Sequence, residues 1–453
     1  MCSQEFISVS YAADPVMQSS SEGVRHLTTI NLSPAERLNR ISEDGLCIGC
    51  GLCQSVAGAD KVHVVTTPEG ALRPVPTEAL DHTAVDAIYA TCPGTRIEGL
   101  PEAELDAQTR FDPVWGPHQA IVRAWAADPE VRFKAAAGGV LTALSQYLIT
   151  TKRVDFVHHA THSKTHPSFG QAQVSRSAAD ALAGARSIYG PTAILTDIEG
   201  TLSQGQAFAF VGTPCDISAL RNLATRDVRV DALCKMMMTP VCGGFMQTPN
   251  LKVALAKFDI PWDEITRVQY RGDGCPGPTR IVTNDGNETR LSYNDFWADE
   301  SAWGLPFRCK VCPDGIGEAA DIGAADAWPG GGPDPETMDD DPGVNAVLAR
   351  TARGWALMQD AARDGALVIE REASLGEISD WQPHQVRKKR AVWARYEGLK
   401  QAGKLVPETA RLRLAELYDS NSPEENAQQT EGTLRRATEG KTSEPTPIAA
   451  ADG

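Results

Sequence analysis

The chain has 453 residues, which at roughly 150 per domain allows about three domains and a core that needs no covalent staples. Hydrophobic residues make up 42% and charged residues 23%, a globular balance that excludes a wholly disordered or fibrous chain. With 59 acidic against 43 basic residues the formal charge is −16, so nucleic acid and anionic membrane surfaces are excluded as main partners unless a local basic patch overrides the field.

Residues 1–40 are Ser-rich with little periodicity and read as a flexible arm, without the basic flank or apolar core of a secretory signal. A small α+β iron–sulfur module is expected over 41–110, with strands at Val62–Thr66 and Leu72–Pro74 and a helix from Thr83 to Cys92. The Pro-rich, acidic segment Glu98–Pro117 reads as a linker. Alternating elements then predict an α/β domain over 115–240: strands at Ala120–Ala126, Val154–His158 and Ala207–Val211, with helices at Val140–Ile149, Ala178–Ala183 and Ala193–Leu202. A second α/β domain over 241–400 is expected to hold strand Asn345–Ala349, helix Gly354–Ala362 and strand Ala366–Ile369. Residues 418–453, rich in Ser, Glu, Gln, Thr and Pro, read as a disordered tail. No apolar run is long enough to span a membrane, and the chain is expected to be cytoplasmic.

In a reducing compartment the 11 cysteines are better read as ligands than as disulfides. Cys47, Cys50 and Cys53 recur every third residue among glycines, which turns three thiolates and several backbone N–H groups toward one point. Cys92-Pro93 offers the fourth ligand, so this set reads as a 4Fe-4S site; zinc is the alternative, although zinc sites favour paired CxxC knuckles. Cys215, Cys242, Cys309 and Cys312 form a second, scattered set that could converge on another cluster or on zinc, or serve as buried structural thiols. Cys2, Cys234 and Cys275 have no partners at ligand spacing, but Cys275 sits in a Gly/Pro loop that could lie near a site.

The ordered series CIGCGLC, Cys92-Pro93, AAAGGVLTALSQYLI, VGTPCDISALRNL, CGGF, YRGDGCPGPTR and RCKVCPDGIGEAADIGAADAW resembles the coenzyme F420 hydrogenase/dehydrogenase beta-subunit family from about Gly45 to Arg395. The resemblance implies an FAD and iron–sulfur oxidoreductase of mixed α/β fold with two 4Fe-4S clusters; relatives include subunits that reduce F420 and 7-hydroxymethyl chlorophyll a reductase-like members. It further implies FAD contacts at Gly138, Gly139 and Val140, where a helix N-terminus could hold the pyrophosphate, and at Ser187, Tyr189, Gly190 and Thr213. Relatives often place Ser or Thr before the glycine pair, where this chain has Ala135-Ala136-Ala137.

Gly272-x-Gly274-x-x-Gly277 mimics a dinucleotide fingerprint, but Pro276 and Pro278 oppose the helix that must begin there, and direct use of NAD(P)H is disfavoured. Neighbouring Arg271 is the candidate catalytic residue, able to stabilise anionic reduced flavin or a substrate carboxylate, against the alternative of a surface turn. His158, His159, His162 and His166 read as a metal site or, more simply, a solvated loop. Arg387-Lys388-Lys389-Arg390 reads as a solvated helix face or a patch for docking an acidic ferredoxin. Asp321, Asp326 and Trp328 are expected to support the cluster loop. The function expected is an oxidoreductase passing single electrons through the clusters to FAD, which exchanges a hydride with a small organic or deazaflavin substrate, fed by ferredoxin or a partner redox subunit. The alternative is an electron-transfer subunit of a larger complex with no substrate of its own. Oligomerisation is left open.

Overall fold

The computed structural model describes residues 32–297, 299 and 303–450. Most of the expected flexible arm, and Cys2 with it, lies outside those residues. At the arm's end Ser33 and Glu36 form a reciprocal capping box that starts helix α1 (Pro34–Glu43). Helix α2 (Leu52–Ala57), the antiparallel pair β1 (Val62–Thr66) and β2 (Leu72–Pro76), and helix α3 (His82–Thr91) complete the N-terminal module. Its exit is not a free linker. Strand β3 (Arg96–Glu98) pairs in parallel with a strand near the other end of the chain, Glu408–Ala410.

The body is built on one eight-stranded sheet. In chain order its strands are β4 (Ala120–Ala126), β5 (Phe156–His162), β6 (Gly170–Ser175), β7 (Phe208–Val211), β8 (Cys234–Pro240), β12 (Ile322–Asp326), β13 (Asn345–Ala349) and β14 (Leu367–Glu372). They lie side by side as β14-β4-β13-β12-β8-β7-β5-β6, with β12, β8, β7 and β5 parallel. The expected division near residue 240 therefore does not divide the sheet: β4, from before it, lies between β14 and β13, and β12, from after it, pairs with β8. Period-two alternation fills both faces. Ala209, Met236 and Met238 face helix α4 (Val140–Thr150), whereas Phe208, Phe210 and Met237 face helix α5 (Pro214–Ala224). Helix α6 (Ala352–Arg363) packs with α4 on the first face. A separate sheet, β9 (Ile265–Gln269), β10 (Thr279–Thr283) and β11 (Glu288–Leu291), has its own apolar cluster.

The C-terminal region is folded, contrary to the expected disordered tail. Helix α7 (Pro383–Gln401) packs against α8 (Pro423–Thr438), and residues 439–450 run on along the N-terminal module. Composition was outweighed by local signals: Ser422 and Glu425 form a capping box with Pro423 at the first helical position, and Thr433 and Ala437 are buried. Among the described residues no helix is long and apolar enough to cross a membrane.

Candidate functional site

The carboxyl ends of the parallel strands share one edge of the sheet, the place where open α/β sheets bind ligands. That edge presents the turn Thr213-Pro214-Cys215 after β7, Cys242 after β8 and Asp326 at the end of β12.

The first cysteine set is built locally. Cys47, Cys50, Cys53 and Cys92 line a single cavity together with Leu52, Ile88 and Pro93. Gly51 takes φ 87°, and a Cβ there would lie 2.1 Å from Thr196 Oγ1, so the loop can press against the body only because this residue is glycine. The Leu195 N–H donates to the Cys50 carbonyl at 2.9 Å, tying module to body. Burial pushes the Cys50 thiol well up, and Cys92, Asp216 and Cys53 add to it. Cys53 and Cys92 are pushed up by burial and then by Cys47.

The second set is gathered from three segments. Cys215 is raised first by burial, then by Asp216 and Cys242, with Cys312 also in reach; Cys309 is pushed up to about 12 by burial, Cys242 and Cys312. Buried thiols that repel one another's charge ionise only beside a compensating cation, the behaviour of a metal-ligand set. Among the described residues no group of three or more His, Cys, Asp or Glu closes to the geometry of a single metal ion. The first four thiols ring a cavity.

Three surroundings of these sets escape sequence reasoning. Asp216 is buried, its carboxyl raised to about 6 by burial, and it accepts from the Thr213 N–H (2.9 Å) and hydroxyl (2.7 Å). The Thr213 hydroxyl also lies 3.0 Å from Cys215 Sγ, so it is committed to the thiol loop. Arg308, 2% exposed, donates twice to the Pro93 carbonyl beside Cys92 while sitting next to Cys309, so it spans the two sets. Half of the basic run, Lys388 and Lys389, turns inward, while Arg387 and Arg390 are exposed. Gln385 and Lys388 donate to the Cys242 carbonyl (2.9 and 3.3 Å), and Lys389 donates to the Pro313 carbonyl at 2.9 Å and pairs with buried Glu318. The solvated-face and ferredoxin-patch readings therefore fail for Lys388 and Lys389.

Arg271 is not a surface turn arginine. It is 5% exposed, forks onto Asp326 (2.8 and 3.1 Å), and donates to the Ala136 carbonyl (2.8 Å) and the Tyr189 hydroxyl (3.2 Å). Burial works against its charge, but Asp326 and Tyr189 hold the guanidinium firmly protonated. Its plane stands 4.8 Å from the Trp328 ring, and Tyr293 packs edge-on to Trp328. The Arg271 Nε is buried without a partner. Cys275, also buried, is within charge reach of Arg271 and Asp326. Asp326 and Trp328 thus belong to the buried cluster around Arg271, while Asp321 is structural, accepting from the Met237 N–H and the Thr351 hydroxyl.

Ser187 bridges to Arg271 through the backbone, and Gly190 lies so close to the Ser168 carbonyl that no side chain fits there. Gly138 and Gly139 both take positive φ and are packed closely; a Cβ on Gly138 would lie 3.0 Å from the Asn345 nitrogen. The Val140 N–H donates to Asn345 Oδ1 at 3.2 Å, so this helix start is closely packed and that amide has a protein partner. The false fingerprint at Gly272 closes the β9–β10 hairpin and starts no helix. Of the histidines, His158 and His159 lie within β5, which extends to His162. His158 Nε2 bonds the Ile194 carbonyl (2.9 Å), His159 Nε2 meets Ser175 Oγ (2.7 Å), and His166 stacks on Phe169, so these three are neither solvated nor a metal site.

Fold and site define a mixed α/β chain that carries two four-cysteine sets and a buried Arg271–Asp326 pair, and comparison with known proteins narrows its class. Two family models for "Coenzyme F420 hydrogenase/dehydrogenase, beta subunit" match in succession, the N-terminal one over residues 121–199 and the C-terminal one over residues 205–374. The chain belongs to the coenzyme F420 hydrogenase/dehydrogenase beta-subunit family. It is 26% identical over 246 residues to the F420-dependent formate dehydrogenase 1 subunit beta of Methanococcus maripaludis, spanning 53% of this chain and 58% of that relative. A chain of the F420-reducing [NiFe] hydrogenase complex from Methanosarcina barkeri shares the fold with a TM-score of 0.51 and 19% identity, over 66% of this chain and 99% of that one. The first cysteine set and helices α7 and α8 lie outside both matched segments.

Proposed function

We propose that this chain is the electron-transferring beta-type subunit of a hydrogenase- or dehydrogenase-type complex, with FAD, two 4Fe-4S clusters and a partner redox subunit. The observation that carries the reading is the pair of four-cysteine sets in a member of this family, with the buried Arg271–Asp326 pair in the same body. When bound, FAD would exchange a hydride and pass single electrons to clusters. Cys47, Cys50, Cys53 and Cys92 would hold one cluster, and Cys215, Cys242, Cys309 and Cys312 the other. Arg271 suits a planar, conjugated ligand: its unpartnered Nε offers a donor, its charge favours an anionic ring, and Tyr189, Tyr293 and Trp328 exclude water. The packed Val140 amide argues against the pyrophosphate seat at Gly138-Gly139, while Tyr189 stays in the pocket wall.

A second reading, an autonomous enzyme fed by ferredoxin and acting on a small organic or deazaflavin substrate, is favoured by the cysteine module outside the matched segments. Anaerobic purification with assay of iron, labile sulfide, zinc and flavin tests both. About eight iron and eight sulfide with one FAD are expected. Copurification of a redox subunit selects the first reading, and turnover by the isolated chain with reduced ferredoxin selects the second. Zinc without iron or flavin would sink both.

A further inference from the structure

Residues 423–450 lie beyond the matched family segments and run past both cysteine sets. Helix α8 backs α7: the Thr430 hydroxyl donates to the Ala394 carbonyl at 3.0 Å and Arg395 Nε to Gln429 at 2.9 Å. Helix α7 in turn delivers Gln385 and Lys388 to Cys242. The chain then crosses to the N-terminal module. The Glu444 N–H donates to the Glu43 carbonyl (3.1 Å), the Thr446 hydroxyl to the Glu43 carboxylate (2.5 Å), and the Ala450 N–H to the Thr66 carbonyl (2.8 Å). At Gly45, two residues before Cys47, a Cβ would lie 2.1 Å from the Thr442 carbonyl, so the crossing segment sits directly on the loop that leads into the thiols.

The centre of this crossing is Arg73 on β2. It is 2% exposed, and Glu444 takes its Nε and Nη2 at 2.6 and 2.8 Å while Nη1 donates to the Leu72 carbonyl at 2.7 Å. Burial works against its charge, while Cys47 of the first set, Glu444 and Cys309 of the second lie within electrostatic reach and favour it. A forked guanidinium–carboxylate pair fixes both planes, which a single hydrogen bond does not.

We infer that Arg73, clamped by Glu444, is a positioning residue that holds the first thiol set in register with the second and keeps the C-terminal segment closed on the N-terminal module. For its redox consequence the inference rests on the proposed cluster-bearing function; for the clamp itself it does not. The test uses full-length protein as purified, with Glu444→Gln, the conservative Glu444→Asp, and Arg73→Lys. Hydrogen exchange read by mass spectrometry is expected to rise about tenfold in Glu444→Gln over 440–450 and β1–β2 alone, with Glu444→Asp restoring most protection. In iron-loaded protein the magnetic interaction between the two reduced clusters is expected to weaken in Glu444→Gln at unchanged iron content. Unchanged exchange, or exchange raised equally in the body sheet, overturns the clamp. Localised exchange with an unchanged magnetic interaction overturns the positioning role. Protein without iron defeats the proposed function and leaves the exchange result to decide the clamp. Arg73→Lys keeps the charge and loses the fork, so exchange as slow as in the parent would overturn the requirement for the forked pair.

Discussion

The two cysteine sets differ in how they are made. The first takes three of its thiols from one tight loop, and the fourth follows a single hairpin and helix later. The second exists only once β7, β8 and the loop before β12 stand beside one another in the sheet, with α7 laid across them. A local site can be lost without the body, whereas an assembled site is part of the body's stability.

The largest effect should expose that contrast. Cys215→Ser is expected to halve the iron content and lower the unfolding midpoint of the whole chain, because metal affinity at an assembled site is folding free energy. Cys53→Ser should also halve the iron but leave the body's transition nearly in place. Calorimetry alongside iron assay decides it, and equal midpoint losses in both variants would break the comparison.

Next in size is the buried Arg271–Asp326 pair, which shares the assembled character of the second set. Asp326→Asn leaves a buried guanidinium without its counter-charge and is expected to cost about 3–5 kcal/mol. Denaturant unfolding reads that loss, and flavin content measured on the same sample should fall. Stability within about 0.5 kcal/mol of the parent would show that Asp326 carries no such load.

The smallest effect at neutral pH is electrostatic. Burial lowers the His158 pKa from 6.5 to about 4, so across that window the unfolded chain binds a proton that the folded chain refuses. Stability is therefore full above pH 6.5 and falls toward pH 4, by about 3 kcal/mol for this ring. His158→Gln should flatten part of that slope in urea titrations at about pH 7 and pH 4. A slope identical to the parent's would remove His158 from the account.

The same distinction governs what the sequence made legible. The thiols at Cys47, Cys50, Cys53 and Cys92 announced themselves by spacing, and strands such as Ala120–Ala126 and Asn345–Ala349 by their apolar runs. The pairing of Arg271 with Asp326 did not, because the hairpin of one sheet and the end of a strand in the other meet only through tertiary packing. Lys388 and Lys389 looked like solvated charge, since nothing nearby in the sequence shows that their helix lies across Cys242 and Pro313. The tail was misjudged on composition, although the capping box at Ser422 was already written in it.

Strand β3 pairs in parallel with residues 408–410, and Arg411 donates to the Leu100 carbonyl at 2.9 Å, 311 residues away in sequence. Such a pairing carries the loop-closure entropy of most of the chain, a cost that the contacts of the body must offset. The seating of the N-terminal module therefore depends on the order of the whole body, whereas its own hairpin and helices are local.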